Sequence, residues 1–111
     1  MNNKLKQLAE ILAQANDRFF ERNTSVDTLM GIMDKTLRQQ GMPADAITID
    51  CPNLDKKIVF LLHDSKANSV NIAIGNKAGD IDSSYEQELD QFTVKSALDL
   101  IESALMKLPN N

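Results

Sequence analysis

The stretch 57-KIVFLLHDSKANSVNIAIGNKAGD-80 decides the fold. Ile58 to Leu62 is a continuous run of β-branched, aromatic and aliphatic residues, the composition of a strand covered on both faces. "DSKANS" (64–69) is turn chemistry, and "VNIAI" (70–74) alternates side chains with the period of a half-buried strand. Upstream, "AITID" (46–50) alternates as well, and "CPNLDK" (51–56) supplies a Pro-Asn turn between the two runs. Three strands joined by short loops predict an antiparallel meander, with the fully apolar strand in the centre.

The flanking segments have helical spacing. Leu5, Leu8, Leu12, Ala15 and Phe19 form one face of a helix from about Asn3 to Arg22. "ERNTS" (21–25) breaks it, and Thr24 or Ser25 could cap a second helix carrying Val26, Leu29, Met30, Met33 and Leu37. Gly41 suits a left-handed end to that helix, and Pro43 cannot continue it. Val94, Leu98, Ile101, Leu105 and Leu108 predict a third helix over 93–108, stopped at Pro109. Tyr85, Leu89 and Phe92 share the spacing but break phase before Val94. Either that helix begins near Ser84, with Gln87 completing a capping box, or a looser segment precedes a helix capped by Thr93. The expected architecture is a single α+β domain over 1–111, two layers in α-α-β-β-β-α order, with the helices on one face of the three-stranded sheet. Ile47, Ile49, Ile58, Phe60, Leu62, Val70, Ile72 and Ile74 should face the helices.

Composition bounds the function. A chain of 111 residues can bury roughly two-thirds of its unfolded surface around one core. The net charge of −4 argues against sequence-independent nucleic-acid binding, which needs a field of Lys and Arg. One cysteine, Cys51, forms no intramolecular bridge, which points to a reducing, cytoplasmic setting. Lys4, Lys6 and Glu10 interrupt the start as a signal peptide, and no apolar run approaches the ~20 residues of a membrane-spanning helix. Charge is uneven: residues 80–102 hold Asp80, Asp82, Glu86, Glu88, Asp90, Asp99 and Glu102 against Lys95 alone.

The only histidine, His63, stands beside Asp64 and invites a catalytic reading. A nucleophile and its base need hydrogen-bond contact. In the expected hairpin, Cys51 lies near Lys57 where the second strand begins and His63 at that strand's far end, six residues on, so the two are roughly 20 Å apart. Ser65 and Ser69 share the turn with His63, but no G-x-S-x-G accompanies them. The pair therefore reads as a strand end with Asp64 opening the turn, and no enzyme is expected. One histidine and one cysteine cannot fill a four-ligand zinc shell. Read as a calcium loop from Asp80, the acidic segment puts Tyr85 where glycine belongs and Gln91 where a bidentate glutamate belongs. "GNKAGD" (75–80) lacks the G-K-[ST] of a phosphate loop and reads as a turn leaving an edge strand. Cys51 has no adjacent cation to activate it. No metal or cofactor is expected.

Strand parity sends Val59, Leu61 and His63 to the face away from the helices, with Thr48, Asp50, Asn71 and Ala73. The centre of that face is Val59, Leu61 and Ala73, apolar and ringed by polar groups, as interaction surfaces are. Unless the terminal helix crosses it, a partner or second copy should cover it. The first expectation is a non-enzymatic protein-binding module, homodimeric through this face or an exposed helix, with Asp80, Asp82, Glu86, Glu88 and Asp90 offered to a basic partner. The second is a small-ligand binder or enzyme with a groove near His63, Asp64 and Lys66. The third narrows the first to an acidic secretion chaperone or immunity-type inhibitor. Small size, acidity, α+β order and self-association are similar to those of type III secretion chaperones, although the chain lacks the second strand pair that follows their internal helix.

Overall fold

Every strand of the sheet hydrogen-bonds to its neighbour in sequence. The computed structural model describes residues 2–106, and its elements run α1 (Asn3–Arg22), β1 (Leu29–Met33), α2 (Thr36–Gln39), β2 (Ala44–Cys51), β3 (Lys56–His63), β4 (Ser69–Gly75), β5 (Ile81–Glu88) and α3 (Val94–Leu105). The five strands form one antiparallel sheet in the order β1-β2-β3-β4-β5. The α+β class and the central β2-β3-β4 meander are as expected, with β3 in the middle. The expected three strands become five.

Both added strands correct the reading of the sequence. The second helix expected to open at Thr24 or Ser25 is absent; residues 29–33 pair with β2, Met30 opposite Ile49 and Ile32 opposite Ile47. A five-residue apolar run fits a strand as well as a helical stripe. Gly31 at its centre weakens a helix by about 1 kcal/mol relative to alanine, and β2 offers an open edge. Only Thr36–Gln39 remains helical, and Gly41 takes the left-handed conformation just beyond it (φ 90°). The segment 84–91 is not the start of the last helix. It is most of β5 and a 3-10 turn over Leu89–Gln91, so Ser84 and Gln87 are strand residues and form no capping box. The box belongs to Thr93 and Ser96 instead: Ser96 N–H donates to Thr93 Oγ1 (3.1 Å) and Thr93 N–H to Ser96 Oγ (2.8 Å). Leu108 and Pro109 of the expected helix lie outside the described residues.

Because β5 pairs with β4, "GNKAGD" joins two paired strands and does not leave an edge. The register shifts there, setting Gly75 opposite Ile81 while Ile74 faces Ser83. A Cβ on Gly75 would lie 2.1 Å from the carbonyl oxygen of Asp80, so this close approach requires glycine.

Both long helices cover one face. Leu5, Leu8, Leu12, Ala15 and Phe19 of α1 and Ala97, Leu98, Ile101 and Leu105 of α3 are buried with Ile47, Ile49, Cys51, Ile58, Phe60, Leu62, Val70 and Ile72 of the sheet. Ile74 is partly buried against the same cluster. Leu89 and Phe92, in and just after the 3-10 turn, close the core; the rings of Phe60 and Phe92 meet at 6.1 Å and 47°. Phe60 stands at the centre of this layer on the central strand. Phe60→Ala should cost about 3–5 kcal/mol in urea unfolding; a cost below 1 kcal/mol would mean the layer is not packed as described.

Candidate functional site

The face of β2, β3 and β4 away from the helices carries Ala46, Thr48, Val59, Leu61, Asn71 and Ala73, set side by side by the registers Ala46↔Leu61, Thr48↔Val59, Val59↔Ala73 and Leu61↔Asn71. Ala46 and Thr48 of β2 are buried and α2 contacts that strand, whereas α3 packs on α1 and on the inner side of β3, which leaves the β3-β4 part of the face partly exposed. Val59, Leu61 and Ala73 are partly exposed and line a depression of about 350 Å³ with Lys57, Asn71 and Ile81. Ile81 is 64% exposed. The register shift at Gly75 turns it onto this face while Ser83 and Tyr85 stand opposite inner-face residues. Alternation in "IDSSYEQE" (81–88) is a strand signal, but parity counted through it misses the bulge and therefore misses Ile81.

The rim is charged unevenly. Asp80 borders the depression, and Glu86 and Glu88 stand opposite Asn71 and Ser69 on the same face. Of the acids expected to form a patch, Asp82 pairs with Lys56 at 3.5 Å and Glu86 with Lys66. Asp80 accepts from Asn76 Nδ2 at 3.2 Å, Glu88 ends β5, and Asp90 sits exposed in the 3-10 turn. On the β2 side, Lys57 lies 3.9 Å from Asp50.

His63 lies at the far end of β3, opposite Ala44, and borders a separate depression of about 300 Å³ with Asn2, Lys4, Leu62 and Asp64. Its Nδ1 accepts from the Ser65 backbone N–H at 3.2 Å and lies 2.8 Å from Ser65 Oγ, which caps the turn over Asp64–Lys66. Both Asp64 oxygens turn away to Arg38, which donates from Nη1 and Nη2 at 2.9 Å. Cys51 is paired with Lys56 at the opposite end of the β2-β3 hairpin. His63 is thus brought to Ser65 but not to Cys51, and the Asp64 carboxylate is turned to Arg38. Among the described residues no group of three His, Cys, Asp or Glu is placed to hold a metal ion, and no helix is long and apolar enough to cross a membrane.

Arg38 is the second residue that sequence reading missed. Its Nε and Nη2 also donate to Asp45, at 3.0 and 2.9 Å, and Asp45 Oδ2 accepts a third hydrogen bond from Asn2 Nδ2 at 2.9 Å. Asp45 is buried on the helix side of β2, and Asn2 Oδ1 caps α1 by accepting from Leu5 N–H. One guanidinium therefore fastens the β1-β2 connection, the start of β2, the β3-β4 turn and, through Asn2, the start of α1. Its partners lie 7 and 26 residues away, so no local pattern announces them. The Arg38 hydrogen bonds hold the Asp64 carboxyl below its ordinary range, and the two carboxylates raise Arg38 further.

No family model, curated protein or solved structure matches the chain.

Arg38→Ala, which leaves buried Asp45 without its cation, should lower the melting temperature by several degrees, more than Asp64→Asn does. Asp64 has its acidity increased by folding, so its contribution is present above the ordinary aspartate pKa of about 4 and lost as pH falls through the folded value. Asp64→Asn should flatten that acid limb of the stability profile; an unchanged limb would assign it to other carboxylates. Burial also pushes the Cys51 thiol up, so iodoacetamide at pH 8 should leave it intact in the native protein and modify it in denaturant. Rapid native labelling would show that β2 opens at its end.

Proposed function

We propose that the chain is a non-enzymatic protein-binding module whose working surface is the open face of the sheet. The observation that carries this reading is the depression floored by Val59, Leu61, Ala73 and Ile81 within a polar rim. A solvent-facing antiparallel face ordinarily alternates to polar at such positions. The apolar floor favours an apolar segment of another protein, and the acids along β5 favour basic residues at its flanks. Asp80 and Glu88 supply that charge most directly, since Asp82 and Glu86 already have lysine partners. The capping role of His63 and the engagement of Asp64 by Arg38 support a binding role over catalysis.

Peptides with a Leu/Ile/Val core flanked by Lys or Arg, and the same cores flanked by Glu, test the reading. The basic series should shift the NMR signals of Val59, Leu61 and Ala73 and weaken as salt rises. Leu61→Lys should fold normally and lose at least tenfold in affinity. Shifts confined to other surfaces, or equal binding of the Glu-flanked series, would contradict it.

A further inference from the structure

We infer that two copies of the chain join edge to edge through β1, continuing their sheets into one of ten strands. This inference goes beyond the open-face reading and rests on different residues. β1 and β5 are the two edges of the sheet. No backbone hydrogen bond outside the sheet engages residues 29–33 or 81–88 among the described residues, so the outer row of N–H and C=O groups on each edge lacks an intramolecular backbone partner. Such rows template pairing with another chain unless charge, proline, a bulge or a covering element blunts them.

The two edges differ in that respect. β5 carries Asp82, Glu86 and Glu88 and a register shift at its start, so self-pairing would bring like charges together. β1 reads Leu-Met-Gly-Ile-Met, with no charge, no proline and an unbroken register against β2. Its side chains are also open: Leu29 is 63% and Ile32 42% exposed. Phe20, 47% exposed, borders a depression with Asp27 and Thr28 just ahead of the strand. Exposed apolar groups thus straddle this edge on both sides of the sheet.

The strand is also close to self-complementary. Antiparallel pairing of two copies about Gly31 sets Leu29 opposite Met33 of the second copy and Met30 opposite Ile32, an apolar pair on each face. Asp27 lies two residues ahead of the strand and Lys35 two residues after it, so an antiparallel seam brings opposite charges to the same end of the pairing at both of its ends. Twofold closure uses each β1 edge once and leaves β5 as the outer strand of both copies, so the assembly stops at two.

Light scattering across a concentration series, with sedimentation velocity, tests the proposal. The wild type should reach twice the 12.3 kDa chain mass. Ile32→Lys should be monomeric at the concentrations where wild type is dimeric, with an unchanged circular dichroism spectrum. Leu29→Lys, at the more exposed position, carries the same expectation should Ile32→Lys not fold. Leu61→Lys should remain dimeric, which separates this seam from the open face. The double variant Leu29→Cys/Met33→Cys should give a disulfide-linked dimer under mild oxidation. A wild type monomeric throughout the series, β1 variants that stay dimeric, or loss of the dimer in Leu61→Lys alone would overturn it.

Discussion

A single strand with apolar side chains on both faces organises this molecule. In β3, Ile58, Phe60 and Leu62 point to the helices and are buried, while Val59 and Leu61 point the other way and are only partly covered. A strand of that kind is most stable in the centre of a sheet, and β3 has two strands on either side. Placing it there fixes which residues of β2 and β4 share each face, because opposite partners in an antiparallel register lie on the same side. The helices then have one place to go: α1 and α3 each carry one apolar stripe, and both stripes meet the Phe60 side.

The same constraint separates what the sequence discloses from what it hides. α1 is legible to its ends, because twenty residues repeat the helical spacing and nothing competes with it. β2, β3 and β4 are legible because their alternation is bounded by strong turn residues. β1 is not. "LMGIM" is too short for periodicity to separate strand from helix, and its pairing with β2 is a long-range fact. β5 is masked differently: Tyr85, Leu89 and Phe92 keep helical spacing across what is in fact a strand, a 3-10 turn and the residue after it. The phase break before Val94 was the local sign of that change, and Thr93 starts the helix where the break falls.

The candidate surface divides the same way. Val59, Leu61 and Ala73 follow from parity once β3 is central, but Ile81 depends on the bulge at Gly75. The Arg38 clasp depends on four segments meeting at one end of the sheet, which no spacing rule describes. It also resolves the His63-Asp64 pair: adjacency in sequence suggested a dyad, yet the aspartate is engaged by a residue 26 positions away.

The asymmetry of the two sheet faces is most directly tested by solvent paramagnetic relaxation of methyl groups in the isolated protein. The account predicts strong relaxation at Val59, Leu61 and Ile81 and little at Ile58, Leu62 and Ile72. Equal protection of both sets would mean that the outer face is covered within the chain or by a second copy, and would contradict a sheet sealed by helices on one side alone.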